Sequence, residues 1–152
     1  MAVAQAILSR REGTTLEDFQ ADYKRHGRLV TPFWLANNGL SYAQIHNIRW
    51  SSPEVAQKYS NIDISKYDAA AETSWKGERS LAAGPRYYDN VILPDEKRFL
   101  FSAAIEHLIV VDPGSVTGDR VDFIIDGKPM FGFEEWQTLF DRWETPTVSQ
   151  AT

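Results

Sequence analysis

The chain predicts an α+β fold: an antiparallel sheet in β-α-β-β-α-β order with helices packed on it. Three observations predict this. The apolar period switches from two to about 3.6 and back along the 152 residues. Turn-forming residues fall at the switches. Apolar residues make up 43 %, enough for one ordinary core, yet no apolar run approaches the length of a spanning helix.

Each element follows from its residues. Ala4 to Arg10 reads as a strand that turns at Glu12-Gly13. Thr15 with Asp18 forms a capping-box pattern, and Leu16, Phe19 and Tyr23, continued by His26 or Val30, recur at helical spacing. The first helix therefore runs from Leu16 to near Leu29, and Pro32 ends or kinks it. Asn37-Asn38-Gly39 is a turn. From Leu40 to Trp50 the period is two, which puts Tyr42, Gln44, His46, Ile48 and Trp50 on one face and Ala43, Ile45, Asn47 and Arg49 on the other. Residues 51–65 are polar, with a helical turn at Glu54 to Tyr59. Tyr67 to Trp75 is a third strand, weakened by its alanines.

Residues 77–84 connect to a second helix from Arg86 to Phe101, broken or restarted at Pro94, with Asp95 and Glu96 suited to a first turn. Ala103 to Val111 is the clearest strand, closed by Asp112-Pro113-Gly114. Val121 to Ile125 is a fifth strand that turns at Asp126-Gly127. Phe133, Trp136, Leu139, Phe140 and Trp143 form the apolar stripe of a last helix. Residues 1–113 then form the main body and residues 114–152 a C-terminal extension of the same domain. The order is that of the ferredoxin-like split βαβ arrangement. Helices cover one face of such a sheet, and the other face must be buried too or serve as a ligand surface. Two sheets paired face to face, as in a dimeric α+β barrel, satisfy that need.

Composition narrows the chemistry. With no cysteine, disulfides, thiolate metal sites and thiol nucleophiles are excluded. The net charge of −5 repels a phosphate backbone, and the basic residues Arg10, Arg11, Lys24, Arg25 and Arg28 are diluted by Glu12, Glu17, Asp18 and Asp22, so nucleic acid is not an expected partner. Met1 to Leu8 is too short and lacks the basic lead of a signal peptide, so a soluble, cytoplasmic protein with no membrane partner is expected.

Three histidines carry the acid–base potential. His26 lies near the end of the first helix, as a helix C-terminal cation or as a group at a cavity mouth. His46 shares a strand face with Tyr42, Gln44 and Trp50, polar tips that a plain core would have to satisfy and a ligand cavity would explain. His107 lies on the 103–111 strand and converges with His46 if the two strands share the cavity face. The three show no metal-ligand spacing, no Gly-x-Ser-x-Gly elbow is present and no Gly-x-Gly-x-x-Gly loop occurs, so neither metal nor cofactor is expected. Asp68 and Glu72 read as surface charge before a catalytic pair, and the Trp136, Phe140 and Trp143 stripe as packing.

Ser9-Arg10-Arg11, Leu16-Glu17-Asp18-Phe19, Tyr23 with His26, and the run from Pro32 to His46 resemble the opening of EthD-domain proteins, in particular their fungal branch. Tyr67-Asp68 with Glu72, Tyr87-Tyr88, and Pro94-Asp95-Glu96 with Phe99 extend the resemblance over about residues 6–112. Ala69 stands where the family often has Gly, and residues 114–143 do not align. The resemblance implies a homodimeric α+β barrel and a cofactor-independent lyase of secondary metabolism, a decarboxylase of an aromatic or β-keto polyketide acid. A polyketide cyclase, dehydratase or isomerase, or a non-catalytic accessory protein that binds a small molecule, are the alternatives. On this reading His26, His46 and His107 are the acid–base groups. Tyr23, Phe33, Trp34, Tyr42, Gln44 and Trp50 contact the substrate.

Overall fold

The computed structural model describes residues 3–78, 80–102 and 107–145. In chain order the elements are β1 (Val3–Leu8), α1 (Leu16–Ala36), β2 (Gly39–Trp50), α2 (Pro53–Lys58), β3 (Ala69–Trp75), α3 (Pro85–Tyr87), α4 (Leu93–Phe99), β4 (Ile109–Val111), β5 (Val116–Ile125), β6 (Lys128–Pro129) and α5 (Glu134–Glu144). A π-turn over Tyr88–Ile92 joins α3 to α4. The sheet runs β4-β1-β3-β2-β5-β6 with every pairing antiparallel. Its first four strands are in the ferredoxin-like order, and β5 and β6 extend it beyond β2. Within one chain the sheet is open and does not close into a barrel.

Helix α1 begins where Thr15 accepts a hydrogen bond from the Asp18 amide at 3.1 Å, and Glu17 and Asp18 complement the dipole of the first turn. Pro32 does not end the helix, which continues to Ala36. There Asn37 holds the Phe33 and Ala83 carbonyls with its amide nitrogen and accepts from the Ala83 amide. Gly27 lets α1 approach the sheet: a Cβ at that point would lie 2.4 Å from the Phe123 ring.

Helices α1, α3, α4 and α5 share one face. Leu29, Val30, Phe33, Tyr42, Tyr87, Phe123, Ile124 and Phe140 form the main core there, and Leu8, Phe19, Tyr23, Phe99 and Leu100 a second cluster beside it. The other face is covered at one end by the chain itself. Ile7, Ile45, Ala70, Val111 and Val116 pack there against Ile48, Trp50, Tyr59, Ile62, Ile64 and Tyr67.

Three expectations are corrected. The strand expected from 103 to Val111 is only Ile109–Val111, His107 has helical backbone, and residues 103–106 lie outside the described residues. The reason is steric. Beside Ser9 to Arg11 the edge of β1 is already taken by Phe99 to Phe101, through Arg11 N–H to the Phe99 carbonyl and Phe101 N–H to the Ser9 carbonyl, so β4 cannot pair beyond Ile7. The fifth strand is ten residues long, not five, because β2 offers it a long free edge.

The third correction concerns strand parity. Between His46 and Arg49, β2 advances three residues while β5 advances two, from Asp119 to Thr117. This bulge is centred on Asn47, whose φ is +50°, a left-handed conformation that Asn tolerates. Gly118 lies opposite, where a Cβ would meet the His46 carbonyl oxygen at 2.3 Å. One extra residue reverses the alternation, so Ile48 and Trp50 leave the face of Tyr42, Gln44 and His46 and join the opposite core.

Candidate functional site

A cavity of about 190 Å³ lies between the sheet and the helices. Its floor is made by small side chains of the two central strands, Ala4 and Ala6 of β1 and Ala71 and Thr73 of β3. Ala6 pairs with Ala71 and Ala4 with Thr73, so the small residues adjoin across the ladder and leave the hollow. Helix α1 contributes Tyr23, His26, Val30, Phe33 and Trp34, a stripe at i, i+3, i+7, i+10 and i+11. The opposite wall is Tyr88, Ile92 and Glu96, which the wide π-turn keeps in one line. Tyr42 and Trp75 close the end.

The polar focus is His26, 4 % exposed. Its Nδ1 lies 2.7 Å from the Asp95 carboxylate, which is also held by Arg25 and by Arg98 at 3.1 Å. Burial pushes the Asp95 carboxyl up, but the hydrogen bond and charge of His26, with Arg25 and Arg98, outweigh it and hold the group below its ordinary range. An ionised Asp95 keeps a proton on Nδ1, so Nε2 is the nitrogen at which a proton can be exchanged. That nitrogen lies 3.9 Å from the Glu96 carboxylate, and Glu96 lines the cavity. Tyr23 stacks on the His26 ring, and Phe99 meets it edge-on.

Behind this wall runs a buried chain of hydrogen bonds. The Gln44 amide nitrogen donates to the Tyr23 carbonyl at 2.6 Å and to the Tyr42 hydroxyl oxygen at 3.1 Å. Its carbonyl oxygen must then accept from His46 Nε2, 2.9 Å away. Among the described residues, His46 Nδ1 is buried with no hydrogen-bond partner, as is Trp34 Nε1. Burial, with Lys24 nearby and only partly offset by Asp119, lowers the His46 pKa to about 4. Burial likewise pushes the Tyr23 and Tyr42 phenols up, so both stay protonated as donors.

Five of the expected residues, Tyr23, His26, Phe33, Trp34 and Tyr42, line one cavity. Gln44 and His46 stand behind it, and neither touches the hollow. Trp50 is turned to the other face by the bulge and stacks on Tyr59 with ring centroids 5.0 Å apart. His107 does not converge with His46. It accepts from the Ser9 amide at 3.2 Å and meets Ser102 at 3.1 Å, outside the cavity. Asp68 accepts from the Arg10 amide, while Glu72 accepts from Gln5 and pairs with Arg120, and neither enters the cavity.

Two functional candidates escape the sequence reading. Asp95 and Glu96 read there as helix-start charges, because nothing local shows that a residue 69 positions away will face them. The alanines of β1 and β3 are the other signal: small residues on one face of two central strands mark a place the helices cannot fill. Among the described residues no three His, Asp or Glu side chains are grouped to hold a metal, and no helix is long and apolar enough to cross a membrane.

Fold and cavity together define an α+β protein with an apolar chamber and one buried imidazole–carboxylate pair at its wall. No family model, curated protein or solved structure matches the chain.

Proposed function

We propose that the protein is a cofactor-independent acid–base lyase acting on a small enolisable aromatic or β-keto compound of polyketide type. One observation carries the reading. The His26 imidazole is held at Nδ1 by buried Asp95, its Nε2 lies 3.9 Å from the Glu96 carboxylate, and His26 and Glu96 both line an aromatic-walled, apolar cavity. A base that takes a proton from carbon needs a fixed orientation and shelter from water. Asp95 sets the tautomer and stabilises the imidazolium that forms. In the step, Nε2 takes the proton α to a carbonyl and the C–H electron pair becomes the enolate. Neutral tyrosine hydroxyls meet the oxygen on which charge collects. The imidazolium then protonates a departing hydroxyl, releasing water, or returns the proton to carbon.

Dehydration, cyclisation and isomerisation move a proton between two substrate atoms, a task that an imidazole and a nearby carboxylate can share. Decarboxylation, the form that resemblance to EthD-domain proteins implies, needs His26 only to reprotonate the enolate. A homodimer, a cytoplasmic location and a role in secondary metabolism belong to the same proposal.

The test is α-proton exchange of acetophenone in deuterium oxide, followed by proton NMR. Wild-type protein is expected to accelerate it, and His26→Gln to lose about 10²-fold or more of that acceleration. Exchange no faster than in buffer removes the reading. Product mass from a panel of aromatic keto acids and hydroxyketones then separates loss of water, loss of CO₂ and no change.

A further inference from the structure

We infer that the cavity takes a single-ring aromatic ketone whose carbonyl oxygen accepts a hydrogen bond from the Tyr42 hydroxyl, with Gln44 and His46 as positioning residues for that donor. The inference rests on the cavity being the reaction chamber and deepens that reading by naming what enters it.

Size comes first. An apolar protein cavity of about 150 Å³ holds one benzene. The cavity here, about 190 Å³, therefore matches one ring with a short substituent. Its walls are mostly aromatic and aliphatic, as an aromatic guest requires.

A proton count gives the orientation. His46 Nε2 donates to Gln44 Oε1, and Gln44 Nε2 donates to the Tyr42 oxygen. An amide nitrogen cannot accept, so the Tyr42 oxygen is the acceptor and its own proton must go elsewhere. Tyr23 offers its backbone carbonyl to the same Gln44 amide nitrogen. Both side chains line the cavity. Tyr42 and Gln44 are 3 % and 0 % exposed, so water does not set the direction of this chain. The Tyr42 hydroxyl is the member of this chain that lies at the cavity, and a carbonyl oxygen there accepts its proton.

The experiment compares acetophenone with ethylbenzene, alike in size but lacking the oxygen, by calorimetry, and reads the carbonyl stretch of bound carbon-13 acetophenone. The expected result is about tenfold tighter binding of the ketone and a carbonyl band shifted below its position in apolar solvent. Tyr42→Phe should erase the preference and at least half the shift while still binding ethylbenzene, which shows that the variant is folded. Gln44→Met should weaken the preference with Tyr42 intact. Equal affinities in wild type, an unmoved carbonyl band in Tyr42→Phe, or anthrone binding more tightly than acetophenone overturns the inference. The acid–base reading fails separately: acetophenone bound with a shifted carbonyl but without proton exchange removes that reading and leaves this one standing.

Discussion

His46 is buried at 2 % exposure, and its environment favours the neutral ring. Its pKa is about 4 in the fold against an ordinary 6.5. The unfolded chain therefore takes up a proton as pH falls through 6.5, while the folded chain resists until about 4. Stability tied to His46 is full above the unfolded value and is lost as pH drops toward the folded one. Between pH 7 and pH 5 the loss is about 2 kcal/mol. Asp95 acts lower: its depressed carboxyl contributes above the ordinary carboxylate range and is lost only below it. Urea midpoints at the two pH values should show the loss in wild type and a much flatter response in His46→Gln, whatever the variant's starting stability. An equal response in both proteins removes the claim that His46 is folded in its neutral form.

Helix α1 meets the sheet through Gly27, and this contact fixes where Tyr23, His26 and Val30 stand relative to the cavity. Alanine at this position gains about 1 kcal/mol of helix propensity. The added Cβ would also lie 2.4 Å from Phe123 and 2.7 Å from the Gln44 amide, both buried. Phe123 stacks on Tyr42 and has little freedom to yield. Overpacking a well-filled site costs about 1–3 kcal/mol, so the balance is a net loss. Gly27→Ala is expected to lower stability by up to about 2 kcal/mol in urea unfolding. A stabilised variant would show that the helix and the sheet are not in close contact there. The bulge at Asn47 is the other decision made at this scale, since one extra residue assigns Trp50 to a core and not to the cavity.

Across the whole molecule, β1 and β3 each pair with a strand on both edges, and at one end Leu8 and Ala69 are buried on one face and Ile7 and Ala70 on the other. Gln5 of β1 further ties the second face together, since its amide accepts from the Val116 amide at 3.0 Å and donates to the Val116 carbonyl at 3.3 Å. By contrast α2 has no buried residue, and the two residues of β6 pair only with β5. Amide hydrogen exchange should follow this division. The β1 and β3 amides are expected to exchange only through global unfolding, and those of α2 and β6 by local opening. Fast exchange in β3 would contradict the two-sided burial. The far end of the second face carries Glu72, Arg120 and Asp122 in ion pairs, so a dimer closing there would have to desolvate them.

What the sequence by itself determined was local. Thr15 caps α1, Asn38 and Asp126-Gly127 take positive φ at their turns, and alternating residues make β2 a strand, because each depends on neighbours a few positions away. The strand order followed from connection rules acting on those elements. The tertiary structure alone decided that His26 faces Asp95 and Glu96, that Phe99 to Phe101 displace the start of β4, and that Trp50 lies on the far side of the sheet. These outcomes depend on partners distant in the chain and on a one-residue bulge, and no periodicity along the sequence encodes either.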